Sequence, residues 1–185
     1  MIQAQTGRRQ FIASQLRGFF VYEDFKMPET YIGTKLIKAE VMTRAQYNVF
    51  RGWELPADEN GDDEGYLVEY MDGGKPNTTT HAGYVSWSPK EQFDNAYRKT
   101  SGMPFGMAVE AMKKGHKVAR AGWNGKGVFL IYIFPYINNQ YTVIEKDGIV
   151  GTLAPYLAMK TADNQLVPWL GSQTDILADD WCIVE

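Results

Sequence analysis

The order of apolar and polar positions divides the chain into short elements. Tyr31 to Met42 (YIGTKLIKAEVM) has the pattern of a strand. Thr43-Arg44-Ala45-Gln46 then forms a capping box, in which a Thr hydroxyl and a Gln side chain satisfy backbone donors at a helix start. The spacing predicts a short helix to Arg51, stopped by Gly52. Gly65 to Met71 alternates Tyr66, Val68 and Tyr70 with Leu67, Glu69 and Met71, a strand that ends in the turn residues Asp72-Gly73-Gly74. Tyr84 to Trp87 is another strand. Ser88-Pro89-Lys90-Glu91 combines an N-cap Ser, a Pro at the first helical position and a Glu at the third, which predicts a helix through Arg98.

After Lys99-Thr100-Ser101-Gly102 the pattern starts afresh. Phe105, Ala108, Val109 and Met112 recur at helical spacing, with Gly115 as the stop. Val118 to Arg120 and Val128 to Phe134 (VFLIYIF) are strands, the second apolar enough to be covered on both faces. Pro155 to Lys160 and Leu166 to Trp169 flank Thr161-Ala162-Asp163-Asn164, a turn-forming cluster, and so predict a hairpin. Ser172 or Thr174 caps a last helical turn, and Trp181 to Val184 ends the chain as a strand. The expected fold class is α+β in two small domains, residues 1–100 and 101–185, the second a main helix packed on a mostly antiparallel sheet.

Composition narrows the chemistry. The one cysteine, Cys182, has no partner for an internal disulfide, and with His81 and His116 it is too few ligands for structural zinc. The first residues, MIQAQTGRRQFIASQLRG, lack the apolar run of a signal peptide, and no stretch approaches ~18 apolar residues, so neither secretion nor membrane spanning is expected. A net charge of −3 gives no electrostatic footprint for DNA or RNA. Aromatic residues make up 14 % of the chain, enough to supply a core, an oligomer interface or a stacking site.

Three stretches could carry function. Glu54 to Asp72 holds eight carboxylates and no Lys or Arg, but Asp58, Asn60 and Gly61 do not keep the spacing of a calcium loop, so a solvated acidic loop is expected and no metal. Gly122-Trp123-Asn124-Gly125-Lys126-Gly127 offers backbone N–H groups to an anion beside a flat indole, with Lys117, Arg120 and Lys126 adding positive charge. The same residues also suit a β-turn whose Trp caps the core. The spacing is not that of a Walker A loop. Trp169-Leu170-Gly171-Ser172-Gln173-Thr174-Asp175 gathers an aromatic ring, hydroxyls, an amide and a carboxylate, the inventory for a purine or ribose edge, or for helix capping with Trp169 in the core. No catalytic triad, dyad or metal cluster emerges: His116 follows a helix stop, Cys182 sits in an apolar strand, and Asp179 and Asp180 point apart in an extended segment.

Met103 to Glu185 resembles the second type of phage Thoeris anti-defence family. The resemblance is carried by FGMAVEAMKKGHKVARAGWNGKG, LAMKTADNQLVPWL, GSQTDILADDW and the closing Trp-x-Ile-Val/Glu, in that order. It implies a non-enzymatic sponge, assembled as a homotetramer in the host bacterial cytoplasm. Such a sponge sequesters a cyclic ADP-ribose isomer made by bacterial immune signalling and, in some members, cyclic dinucleotides. It implies no cofactor, no metal, no nucleic acid and no membrane. Residues 1–100 and Tyr136 to Ala154 lie outside the pattern of the shortest members, and the first of these stretches is similar to an accessory module of phage proteins.

Capture near ~1 nM needs about −12 kcal/mol, whereas an aromatic stack supplies ~1–3 kcal/mol per base, so pyrophosphate and ribose contacts in a preformed pocket must supply the rest. Under the resemblance Trp123 stacks, Asn124, Gly125, Lys126 and Gly127 make polar contacts, Ser172, Gln173 and Asp175 meet base or ribose edges, and Trp169 is stack or core. The rivals are a phosphodiesterase or other nucleotide-processing enzyme, with Asp175 or Asp179 recruiting a divalent ion, and a protein–protein inhibitor acting through the first domain.

Overall fold

Thr43 fixes the start of the first helix. Its hydroxyl accepts the Gln46 N–H at 3.3 Å while the Gln46 side chain accepts the Thr43 N–H at 2.9 Å, and Gly52 ends the helix in the left-handed region at φ 67°. The computed structural model describes residues 29–123, 127–137 and 140–185, and the chain divides into two units, Met1–Ile32 and Gly33–Glu185. The boundary expected between residues 100 and 101 falls inside the second unit, between two sheets with separate apolar clusters.

Strand β1 (Ile37–Val41) leads into helix α1 (Arg44–Arg51), and β2 (Gly65–Tyr70) and β3 (Tyr84–Pro89) complete an antiparallel sheet of order β1-β2-β3. β1 is shorter than the strand expected from Tyr31 because its partner offers only the pairs from Ile37↔Tyr70 to Val41↔Tyr66. Leu67 and Val85 bury against Tyr47 of α1, with Met42, Phe50 and Trp87 around them. Gly65 permits the close approach of β3: a Cβ there would sit 2.5 Å from the Trp87 ring and the Ser88 carbonyl oxygen.

Ser88 does not cap a helix. Ser88 and Pro89 continue β3, opposite Tyr66 and Gly65, so helix α2 (Lys90–Ala96) starts later, has no side-chain cap and ends before Tyr97. Ladder hydrogen bonds outweigh the local capping signal here. The loop before β3 is pinned by side chains. The Asn77 amide both donates to the Val85 carbonyl and accepts its N–H, each at 2.8 Å. Buried Glu69 accepts the Gly83 N–H at 2.9 Å, which holds its carboxyl below the usual range.

Beyond this sheet, helix α3 (Phe105–Lys113) ends near Gly115 and returns into β4 (Lys117–Arg120) and β5 (Phe129–Ile133). Two small ribbons follow: β6 (Tyr136–Ile137) with β7 (Gln140–Tyr141), and β8 (Val143–Lys146) with β9 (Ile149–Thr152). β10 (Tyr156–Lys160) and β11 (Leu166–Pro168) form the expected hairpin, turned through Asn164 at φ 70°. A short α4 (Gln173–Ile176) and β12 (Trp181–Val184) close the chain. The second sheet has the order β11-β10-β5-β4-β12 and is antiparallel throughout, so the chain has the expected α+β class.

Register puts Val118, Leu130, Met159 and Ile183 in one row, and these pack with Ala108, Ala111 and Met112 of α3. α3 covers that face only. On the opposite face Phe129, Ile131 and Ile133 are half-buried, so β5 lacks the double cover its apolar run predicts. No helix among the described residues is long and apolar enough to cross a membrane.

Candidate functional site

At one end of the five-stranded sheet four aromatic rings meet. Trp181 on β12 is fully buried and stands at the centre, with Phe105 and Trp123 each 5.3 Å away between ring centroids and Trp169 5.9 Å away. Trp123 and Trp169 are half-buried and lie 6.5 Å from each other. The geometry around Trp181 is edge-on for both, an arrangement aromatic quadrupoles favour. The Trp181 indole N–H donates to the Asp175 carbonyl at 2.9 Å. Gly171 leaves space for the neighbouring indole, since a Cβ there would lie 2.8 Å from the Trp169 ring.

Beside the rings, Arg120 at the end of β4 binds the late turn. It donates to the Asp175 carboxylate at 2.7 Å, to the Thr174 carbonyl at 3.2 Å and to Asp180 through both Nε and Nη2. Ser172 is the N-cap of α4. Its hydroxyl accepts the Asp175 N–H at 3.1 Å and donates to the Asp175 carboxylate at 2.7 Å. The Ser172 hydroxyl and then Arg120 hold the Asp175 carboxyl below its ordinary range, and Arg120 does the same for Asp180. Asp179 is exposed.

The fold therefore brings Trp123, Trp169, Ser172 and Asp175 into one neighbourhood, linked through Trp181 and Arg120. Gln173 and Thr174 are exposed on the first turn of α4. Gly127 has φ 71° and its carbonyl accepts from Lys160 Nζ at 3.2 Å, which ties this end of the loop to β10. Asn124, Gly125 and Lys126 lie outside the described residues. Trp181 and Phe105 are members of the neighbourhood that no sequence motif singled out, and Asp180, set aside as a catalytic candidate, joins it through Arg120. Their signal was indirect: an aromatic residue opening an apolar helix or strand, and a carboxylate immediately before the strand expected from Trp181.

The acidic stretch wraps α1. Its Gly61 and Asp63 carbonyls accept the Ala45 and Arg44 N–H groups at 2.9 Å each, and Glu59 pairs with Arg44, whose guanidinium lies 4.9 Å over the Trp87 ring. Apart from buried Glu69, its other carboxylates stand at exposed positions such as Glu54, Asp58 and Asp62.

From α3 to β12 the features add up to an α+β arrangement whose sheet carries one helix on one face and a half-open aromatic cluster at one end. Residues 103–184 match the Thoeris anti-defense 2-like domain. A protein of Bacillus phage SP01 named Thoeris anti-defense 2 is 39 % identical over 90 residues, which span 44 % of this chain and 94 % of the phage protein. Through this region the chain belongs to the Thoeris anti-defense 2-like family, as the resemblance of Met103 to Glu185 implied.

Proposed function

We propose that the protein is a phage anti-defence sponge, which binds and withholds a cyclic ADP-ribose isomer made by bacterial immune signalling, without degrading it. The observation that carries this reading is the 39 % identity to a Thoeris anti-defense 2 protein across 94 % of that protein's length. The geometry supports it at three points. Half-buried Trp123 and Trp169 keep indole surface for stacking, while Trp181 supplies the rigid backing. Gln173 offers an exposed amide at the edge of the cluster, beside the Ser172 hydroxyl that holds Asp175 in place. Asp175 is kept ionised by Ser172 and Arg120, a condition suited to accepting from ribose hydroxyls and unsuited to general-acid work. A phosphodiesterase using Asp175 would first have to release Arg120. On this reading the loop of Asn124, Gly125, Lys126 and Gly127 contacts the pyrophosphate, and cyclic dinucleotides are secondary ligands.

A homotetramer in the host cytoplasm completes the proposal. Half-buried Phe129, Ile131 and Ile133 on the sheet face away from α3 supply apolar area for contact between protomers. Residues 1–100 are then an accessory domain and 101–185 the sequestering one. A chain starting at Ser101 should melt cooperatively, and a gradual melt would remove this division.

The test of the sponge is stoichiometry. Excess protein should deplete the free signal, heat should return it chemically intact, and magnesium or manganese should change neither result. Conversion of a molar excess of nucleotide, lost in Asp175→Asn, would establish the enzyme instead.

A further inference from the structure

Two adjoining cavities lie where the lead-in to β1, the α2–α3 connection and α3 converge, and none of the four rings of the Trp181 cluster lines them. The inner one, about 70 Å³, is floored by Leu36, Met103, Met107 and Ala111. The outer one, about 630 Å³, is walled by Tyr66, Phe93 and Tyr97 and falls within the ~300–1,000 Å³ of small-molecule sites. Lys35, Leu36, Tyr97, Arg98 and Thr100 line both, so the two form one cleft. Its aromatic wall is continuous: Tyr66 and Phe93 stack at 4.0 Å, and Phe93 and Tyr97 follow at 4.9 Å.

The charges of this cleft do not balance within the protein. Its two carboxylates already have partners, Asp94 in Lys90 at 3.4 Å and the Tyr66 hydroxyl at 3.1 Å, and Glu110 in Lys113 at 2.8 Å. Lys35 is paired with Asp72 at 3.1 Å. That leaves Arg98, Lys99 and Lys114, none of which has a carboxylate within ion-pair distance among the described residues. Arg98 donates to the Asp94 and Tyr97 carbonyls and Lys114 to the Thr34 carbonyl at 2.9 Å, contacts that orient the cations without neutralising them. Three cations without an ion pair thus line an aromatic and apolar cleft on a chain of net charge −3, Arg98 in both cavities, Lys99 in the outer one and Lys114, near the Glu110 carboxylate, in the inner one. Such a cleft concentrates anions, and its walls reward a flat ring.

We propose that this cleft is a second binding site, for a small phosphorylated molecule that carries a flat ring. The phosphate lies among Arg98, Lys99 and Lys114, and the ring lies along Tyr66, Phe93 and Tyr97. Most of this lining precedes residue 103, so the site is a property of the segment outside the family match.

Calorimetric titration of the full chain tests it with 2-naphthyl phosphate and adenosine 5′-monophosphate, and with 2-naphthol and inorganic phosphate as the separate halves. At least one ring phosphate should bind about tenfold more tightly than either half, and added salt should weaken it. Preference for the naphthyl ligand or for the nucleotide identifies the kind of ring. Arg98→Ala should weaken binding about tenfold. Lys99→Ala, whose parent side chain makes no hydrogen bond or ion pair among the described residues and so should not disturb folding, should weaken it about threefold. Trp123→Ala should leave it unchanged, which separates this site from the sponge pocket. Absence of saturable binding by both ring phosphates, or binding untouched by both Arg98→Ala and Lys99→Ala, overturns the proposal.

Discussion

Both sheets of the 33–185 unit fasten an acidic loop with an arginine beside a tryptophan, and they differ in what the tryptophan does next. In the three-stranded sheet Arg44 takes Glu59 and lies over the half-buried Trp87, whose indole N–H donates to the Met42 carbonyl at 2.8 Å. Cation, ring and loop close on one another there. In the five-stranded sheet Arg120 takes Asp175 and Asp180 at the rim, while Trp181 is enclosed by other rings. That second arrangement leaves Trp123 and Trp169 half-buried around a rigid centre. An Arg–carboxylate pair near an indole is thus first a way to fasten a loop, and binding potential depends on the aromatic surface left over.

The largest expected effect tests that contrast at its centre. Trp181→Ala should cost ~3–5 kcal/mol of stability, the usual penalty for emptying a buried indole site, and more than Trp87→Ala. Urea denaturation of the two variants checks it, and equal losses would mean that the enclosed and the cation-covered tryptophans are equivalent. Trp123→Ala should weaken nucleotide binding by ~1–3 kcal/mol, read by calorimetry beside a thermal melt. A steep fall in melting temperature with unchanged affinity would assign the ring to the core alone.

A smaller effect should follow pH. Asp175 and Asp180 both titrate lower in the folded chain than in the unfolded one, so their contribution is complete above the ordinary carboxylate range and is lost as pH falls below about 4. Arg120→Gln removes a cause of both shifts. The native chain should therefore lose more melting temperature than this variant between neutral and acid pH, and parallel losses would discount the clamp. The smallest effect is at Gln173, exposed on α4: Gln173→Ala should change stability by no more than about 0.5 kcal/mol, so any affinity it loses is a ligand contact.

Local chemistry made much of this legible beforehand. Thr43, Gln46 and Gly52 announce α1 because caps are satisfied within a few residues, and the β10–β11 hairpin follows from a turn cluster for the same reason. Ser88 misled because its capping signal competes with a ladder to Tyr66, a partner twenty-two positions away in sequence. The double-sided strand expected at Val128 to Phe134 failed because apolarity does not say what lies across the sheet. Of the candidate site, the meeting of Trp123, Trp169, Ser172 and Asp175 could be suspected from residue type. The role of Trp181 as the hub could not, since it depends on the register that sets Trp181 opposite Arg120.

Asn77 guards an open sheet edge. β3 is an outer strand of its sheet, and the Val85 N–H and carbonyl, which turn away from β2, are the groups another chain's strand would seize. By binding both, the Asn77 amide imitates one residue of a neighbouring strand and leaves an incoming strand nothing to pair with at that position. A side chain from the protein's own loop thus serves as a plug against edge-to-edge polymerisation, in a region crowded with aromatic residues that would otherwise favour it.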